Sequence, residues 1–530
     1  MFLYLVGILV ILILVQYLRQ IFSSFYRYGV KFEMPLPLVG NMSKILLRRK
    51  HFTEELMDIY NKFNKERFIV RFEFTNPILL IQDIELIKKI TVKDFEYFLD
   101  HRSSFSNSDS YFARNLFSLQ GQEWKDMRST LSPAFTSSKI RLMVPFMAEV
   151  GDQMILALKQ KMKDSKTGKI EVDCKDLTTR YANDVVATCA FGLKVDSHHD
   201  RENTFYAMGK LISQFSFRQI LMFFFLLNAP KLSKFFKLDF LPKGGKVFFK
   251  DLFLGTMKER EERNIIRPDM IHLLMEAKKG QLTHEEVKST DTPAGFATVE
   301  ESSVGQNKTN RVWSDNDLIA QAVLFFIAGF ETVSAGMSFL LYELAANPDV
   351  QDRLAQEIKE TDAKNEGKMD FTSIQNMQYM DMVVSEVLRL WPPGVALDRI
   401  CVKDYNMGKP NDTAEHDFIV KKGTGISIPA WAFHRDPKFF PNPTKFDPER
   451  FSEKDKHKIS TFVYMPFGAG PRNCIGSRFA LCEIKVMTYM ILRHFVLSPN
   501  AKTCIPAELS SETFNIKLKG GHFLDFELRK

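Results

Sequence analysis

The sequence predicts a mainly α-helical protein with a few short β-strands and a single apolar span at its N-terminus. Three observations carry this reading. Apolar residues recur at helical spacing from Ser477 to Phe495, at Phe479, Ala480, Ile484, Met487 and Ile491. Leu318 to Ala345 is apolar on nearly all faces, the pattern of a central buried helix. The β-like runs are brief and lie near Ile69–Phe74, Ile78–Ile81 and Leu397–Val402. With 530 residues the chain is long enough for two average domains or one large one. Its 48 phenylalanines imply a large aromatic interior.

Phe2 to Leu18 is nearly unbroken hydrophobe, close to the ~17–20 apolar residues that a membrane span needs. No positive charge precedes it and no small-x-small cleavage site follows, which favours an uncleaved anchor over a signal peptide. Arg19, Arg27, Lys31, Lys44, Arg48, Arg49 and Lys50 all follow the span. The positive-inside rule then puts the bulk of the chain in the cytosol and the N-terminus in the lumen. Pro35–Gly40 reads as a stiff, extended connector. The net charge of +8 is mild and dispersed, and no basic motif of a nucleic-acid fold is visible, so nucleic acid is excluded as a partner. That charge suits an anionic membrane surface or an acidic protein. Six cysteines without a C-x-x-C pair read as free thiols in a reducing compartment.

Further elements follow in order. A helix is expected around Thr53–Phe63. Phe95–Phe117 mixes aromatics with serines and lacks clean periodicity. Trp124 and Arg128, at i and i+4, share one face of a helix. Ile140–Met257 is mostly helical in pattern. Within it, Leu221–Leu227 is too apolar to be left in water, and is read as a second contact with the bilayer rather than plain core. Arg267-Pro268-Asp269-Met270 opens another helix. Gly280–Arg311 is polar and reads as a long surface loop. Asn41, Asn307 and Asn411 head glycosylation sequons, which a cytosolic domain would not expose to the transferase. Ser314–Asp317 is a capping-box-like start to the central helix. Glu386 and Arg389 lie on a helix ending before Pro392-Pro393, where a surface ion pair is the ordinary reading. The final residues read as β-hairpin strands.

Two stretches break local rules. Pro466–Gly476 crowds glycines and prolines before a helix and places Cys474 near that helix's N-terminus, which favours the metal-binding thiolate form. Arg472 adds a fixed cationic fork suited to a carboxylate. In the central helix, Gly329, Glu331 and Thr332 put a weak helix former, a carboxylate and a hydroxyl where apolar residues are expected. Such joint departures mark functional sites.

Phe467, Gly470, Arg472, Cys474 and Gly476 match every specified position of F-x-x-G-x-R-x-C-x-G, and the chain thereby resembles the cytochrome P-450 family. The resemblance implies that family's fold, mainly α with small β-sheets at one edge. It makes residues 1–20 a transmembrane signal-anchor, 21–45 a linker with a proline-rich hinge, and 46–530 the catalytic domain. Cys474 is then the axial thiolate of haem b. Arg472, Trp124, Arg128 and Arg399 would bind the haem propionates, and Phe467 would pack on the sulfur side.

Ala328–Thr332 resembles the family's oxygen-activation motif. Ala328 and Gly329 would give haem and dioxygen room, Thr332 would hydrogen-bond bound oxygen, and Glu331 would supply protons. Val333 stands where the family often has a second hydroxyl. Glu386, Arg389 and the Arg450 of Pro448–Phe451 match the family's buried Glu–Arg–Arg triad. Phe105, Phe112, Phe117, Gly394, Val395, Ala396, Phe514 and Asn515 fall in segments that contact substrate in the family.

The implied activity is a haem-thiolate monooxygenase inserting one oxygen atom of O2 into lipophilic compounds. It is closest to the microsomal insect and animal subgroup that handles foreign compounds such as insecticides or plant toxins. No flavin or dinucleotide motif is present, so electrons come from a partner, by resemblance the NADPH-cytochrome reductase of the endoplasmic reticulum, with a b-type cytochrome as a second donor. Lys125, Lys139, Arg141 and Lys485 are candidates for its basic docking face. A reductase-independent isomerase or dehydratase, and a non-catalytic lipophile-binding haem protein, are the alternatives.

Overall fold

The computed structural model describes residues 2–102, 111–213, 241–267, 269–279, 295–300, 303–306 and 311–530, with isolated positions between 219 and 235. The chain is mostly helical and divides into two compact units. The smaller comprises Met1–Arg102 and Val395–Phe433, the larger Ser103–Gly394 and His434–Lys530. The β-structure is divided between them.

The smaller unit holds a four-stranded sheet ordered Phe68–Glu73, Asn76–Ile81, Gly425–Ile428, Leu397–Ile400. The first two strands pair as an antiparallel hairpin, Ile69 opposite Leu80. Leu56 and Ile59 of the Phe52–Lys62 helix pack on Ile69 and Leu80. That helix begins one residue before the expected Thr53 because His51 caps it, with Glu54 closing the box. The N-terminal helix runs from Phe2 to Tyr26, and Phe25 packs edge-on against Phe72. Pro35–Gly40 is not an extended connector. Leu36 and Gly40 exchange both backbone hydrogen bonds, closing a tight turn, and the Asn41 carboxamide oxygen accepts the Phe72 N–H. Asn41 and Asn411 are buried and their amides donate to Glu33, Met34, Gly29 and Glu66, so burial alone withholds these two sequons. Asn307 lies outside the described residues.

In the larger unit, long helices surround the central one. Ser477–His494 packs on Ser137–Lys163, and Ser334–Ala346 packs on Cys174–Phe191. Phe191, Phe205, Phe249, Phe326 and Phe330 form one aromatic cluster, with Phe249 and Phe326 ring centroids 4.7 Å apart. Part of the phenylalanine surplus is therefore core. The Met270–Lys278 helix begins at Asp269, whose carboxylate caps it and takes both terminal nitrogens of Arg260 at 2.6 Å.

The final strand is not half of a hairpin. Phe523–Leu528 is the centre of an antiparallel sheet, flanked by Lys169–Asp173 and Phe495–Pro499. Lys169–Asp173 alternates charge with apolar side chains inside a helix-rich stretch, which hides it from a helical reading. Leu221–Leu227 is mostly outside the described residues; Leu221 and Phe225 are exposed. Among the described residues one helix is long and apolar enough to cross a membrane, Asp315–Ala346, and it is mostly buried within the protein. The apolar N-terminal stretch Tyr4–Gln16 is shorter.

Candidate active site

The loop before Ser477–His494 doubles back on itself. Gly468 and Gly470 adopt φ of +81° and +70°, a region L side chains avoid, and the Cys474 N–H donates to the Phe467 carbonyl at 2.8 Å. The helix starts three residues later with Gly476 as N-cap. Cys474 is exposed, whereas Cys174, Cys189, Cys401 and Cys482 are buried. Burial pushes the Cys482 thiol up to about 12 and Cys401 to about 11, which keeps them protonated and inert. Cys474 alone combines exposure with the start of a long helix.

Three buried side chains frame this loop. Trp124 and Arg128 do share a face of one helix, Gly121–Leu131. The Arg472 guanidinium lies 3.9 Å from the Trp124 ring centroid and donates to the Leu119 carbonyl at 2.9 Å. Arg128 donates to the Asn473 carbonyl at 2.8 Å and to its side-chain oxygen at 2.9 Å. Asn473, immediately before Cys474, is thus fixed from both main chain and side chain. Arg399 belongs to the smaller unit. It is buried on strand Leu397–Ile400, donates to the Asp398 carbonyl at 2.7 Å, and burial draws its pKa down to about 10.

The central helix begins at the expected capping box, with the Ser314 hydroxyl accepting the Asp317 N–H. It is α-helical over Asp315–Ala328, widens into a π-helical turn over Gly329–Val333, and resumes as Ser334–Ala346. Such a turn inside an α-helix often marks a functional site. Ala328 and Thr332, one turn apart, are exposed on an otherwise largely buried helix. The Thr332 hydroxyl donates to the Ala328 carbonyl at 2.5 Å. Glu331 accepts from Lys175 Nζ and from Asn515 Nδ2, each at 3.2 Å, and Lys175 also donates to the Ser334 hydroxyl at 2.7 Å. Burial lowers the Lys175 pKa and Glu331 opposes that shift. Sequence reading assigned Asn515 to substrate contact and missed Lys175, whose surroundings carry no local signal. The π turn packs against the helix that follows Cys474.

Glu386 and Arg389 are fully buried and bidentate at 2.7 and 2.8 Å, so the surface-pair reading fails. Arg450 Nε lies 3.4 Å from Glu386, completing the triad. Arg389 also donates to the His434 and Pro443 carbonyls. His434 is buried, and its Nε2 accepts the Met465 N–H at 2.9 Å, two residues before Phe467. The triad thereby reaches the Cys474 loop.

Lys485 is not part of a docking face. It is fully buried and paired with Asp381 at 3.0 Å, because its helix presents that face to the core. Arg141 is exposed, and Lys125 and Lys139 are partly so. Phe105 lies outside the described residues, Phe112 is buried and Phe117 is exposed. Gly394 belongs to the larger unit, and Ala396 packs on the smaller unit's core.

The residues present fit a haem. An exposed soft ligand stands at a helix N-terminus, two buried guanidiniums lie beside it, and small, exposed Ala328 leaves room on the central helix.

The family model described as "Cytochrome P450" matches residues 30–522. "Cytochrome P450 9e2" of Blattella germanica is 45% identical over 506 residues, covering 93% of this chain and 92% of that protein. "Probable cytochrome P450 9f2" of Drosophila melanogaster is 43% identical over 505 residues, covering 94% and 93%. "Cytochrome P450 6k1" of Blattella germanica is 36% identical over 522 residues, covering 98% and 96%.

Proposed function

The chain belongs to the cytochrome P-450 family and is a haem-thiolate monooxygenase, and from this premise we propose that it oxygenates foreign lipophilic compounds such as insecticides or plant toxins. The observation that carries the site assignment is Cys474, exposed at the head of a long helix and framed by Trp124, Arg128 and Arg472. Haem b, when bound, would supply one-electron redox chemistry and the activation of dioxygen, with two electrons and two protons delivered so that one oxygen atom ends in the substrate and the other in water.

The chain's own residues hold and serve that chemistry. Cys474 would be the thiolate ligand, and the hydrogen bond from its N–H to the Phe467 carbonyl fixes the main chain that carries the sulfur. Arg472, Arg128 and Trp124 would take the propionate charges. Their burial strengthens such pairs relative to water. Thr332 holds a hydroxyl on the open side of the central helix. Glu331 passes protons toward it and is itself held by Lys175 and Asn515. The buried triad of Glu386, Arg389 and Arg450 locks the approach to the loop; removing one member would strand a charge at roughly 3–5 kcal/mol.

Electrons come from NADPH-cytochrome reductase, with a b-type cytochrome as a second donor, at the thiolate side where Lys125, Lys139 and Arg141 offer positive charge. Residues 1–20 anchor the chain in the endoplasmic reticulum membrane, 21–45 link the anchor to the body, and 46–530 form the catalytic domain in the cytosol. The deciding experiment is the absorption spectrum of the reduced, carbon-monoxide-bound protein. The native chain should show the red-shifted Soret band of thiolate ligation and Cys474→Ser should lack it. A variant that retained the band would remove Cys474 from its role.

A further inference from the structure

Gly295–Glu300 falls within the polar stretch expected to be a surface loop, yet it is docked on the larger unit. The Phe296 ring packs against Phe451 and Tyr464, with centroids 5.3 and 5.6 Å away. The Phe296 N–H donates to Asp381 Oδ2 at 2.9 Å, and Ala297 is buried. Gly295 adopts φ of +126°, and a Cβ there would lie 1.9 Å from Asp381 Oδ1, so the chain passes over Asp381 only as glycine. At the other end, the Glu300 carbonyl accepts from Asn473 Nδ2 at 2.8 Å. Asn473 is the residue before Cys474 and the one held by Arg128. The segment is therefore seated beside the thiolate loop.

Just beyond it, Ser303–Gln306 packs on the Gly121–Leu131 helix that carries Lys125, and the surrounding sequence is acidic. Between positions 281 and 305 the sequence holds Glu285, Glu286, Asp291, Glu300 and Glu301 against Lys288 alone. An electron donor that recognises Lys125, Lys139 and Arg141 must itself be acidic there, and like charges at one patch repel. We propose that Gly295–Glu300 is a strap occupying the face where the acidic, electron-donating flavoprotein docks, and that the donor must displace it. The proposal rests on the reading that electrons enter from such a partner at the thiolate side.

The test uses the full-length, haem-loaded protein in phospholipid vesicles with NADPH-dependent diflavin reductase. Gly295→Val places a branched side chain against Asp381, and Phe296→Ser empties the notch between Phe451 and Tyr464. Each should lower the reductase concentration for half-maximal haem reduction by about threefold or more. Peroxide-supported turnover, which bypasses the donor, should stay level. Unchanged or raised half-saturation, with a wild type that couples normally, overturns the strap alone. A wild type that takes no electrons from the reductase overturns the underlying reading and the strap with it. Amide exchange on the wild type provides a test without substitution. Reductase should accelerate exchange at the Phe296 amide, and slowed or unchanged exchange counts against displacement.

Discussion

Thr332 is a hydroxyl whose donor is already engaged. Its hydrogen bonds the Ala328 carbonyl, so toward the open side it presents lone pairs and must exchange partners to donate there. Thr332→Ala should therefore leave substrate affinity within about twofold while product per O2 consumed falls several-fold; unchanged coupling would remove Thr332 from proton delivery. Cys474, Arg472, Trp124 and Arg128 were legible in sequence because each belongs to a short motif of fixed spacing. Lys175 and Asp381 were not, because each meets its partner through packing of remote helices, and periodicity reports only that such a position is buried. Glu343 shows the same limit. It lies in the apolar run of the central helix, where it accepts from Trp391 Nε1 at 2.7 Å, and burial raises its pKa to about 7. Below about 4.5 the carboxyl is protonated in both folded and unfolded chains. Between about 4.5 and 7 only the unfolded chain releases the proton, so this group's contribution to stability falls as pH rises, by about 3 kcal/mol in all. Glu343→Gln lacks that slope. Its melting temperature relative to wild type should climb from about pH 4.5 to 7 and then level off, and a constant difference would assign the group an ordinary pKa.

The central helix shows what an element adds to its residues. Periodicity located it, and the capping box at Ser314 set its start, but the π turn at Gly329–Val333 follows from packing that sequence does not encode locally. A Cβ on Gly329 would lie 2.9 Å from Val186 Cγ2. Val186 is β-branched and stiff at χ1, so it yields poorly. Gly329→Ala gains about 1 kcal/mol of helix propensity, while overpacking costs about 1–3 kcal/mol. The net expectation is destabilisation of about 1 kcal/mol, read as a lower thermal midpoint of the haem-loaded protein. In the background of Val186→Ala the same change should become stabilising. If Gly329→Ala stabilises both backgrounds, contact with Val186 is not what selects glycine. The same distinction explains two other departures from the sequence reading. Pro35–Gly40 looked extended because proline excludes helix, but Leu36 and Gly40 pair across a turn that Asn41 ties to the neighbouring strand. Strand Lys169–Asp173 exists because Phe523–Leu528, at least 350 positions later, supplies its hydrogen bonds.

At the scale of the molecule, the N-terminal helix exposes most of its described apolar side chains. Tyr4, Leu5, Ile8, Leu9, Ile11, Leu12 and Ile13 are all more than half exposed. Each such side chain favours an apolar medium by about 1.5–3 kcal/mol, so together they outweigh the cost of placing the few polar groups of the segment at the bilayer surface. Its 25 residues extend about 37 Å at 1.5 Å per residue, against a hydrocarbon core of about 30 Å, and the apolar stretch Tyr4–Gln16 covers about 20 Å of that. Phe25, near the end of that helix, packs against Phe72 and Phe418, and the stretch ahead of these contacts can be separated from them. Two outcomes follow from that separation. Removal of residues 2–20 should preserve the carbon-monoxide spectrum while changing extraction from membranes, from a requirement for detergent to release by high salt or alkaline carbonate. A glycosylation acceptor fused ahead of Met1 should be modified in microsomes, whereas Asn41 and Asn411 stay bare in their buried hydrogen bonds. If the fused acceptor stays unmodified while a control acceptor in the lumen is glycosylated, the N-terminus faces the cytosol. The cluster of Arg27, Lys31, Lys44 and Arg48–Lys50 would then not be what sets the orientation.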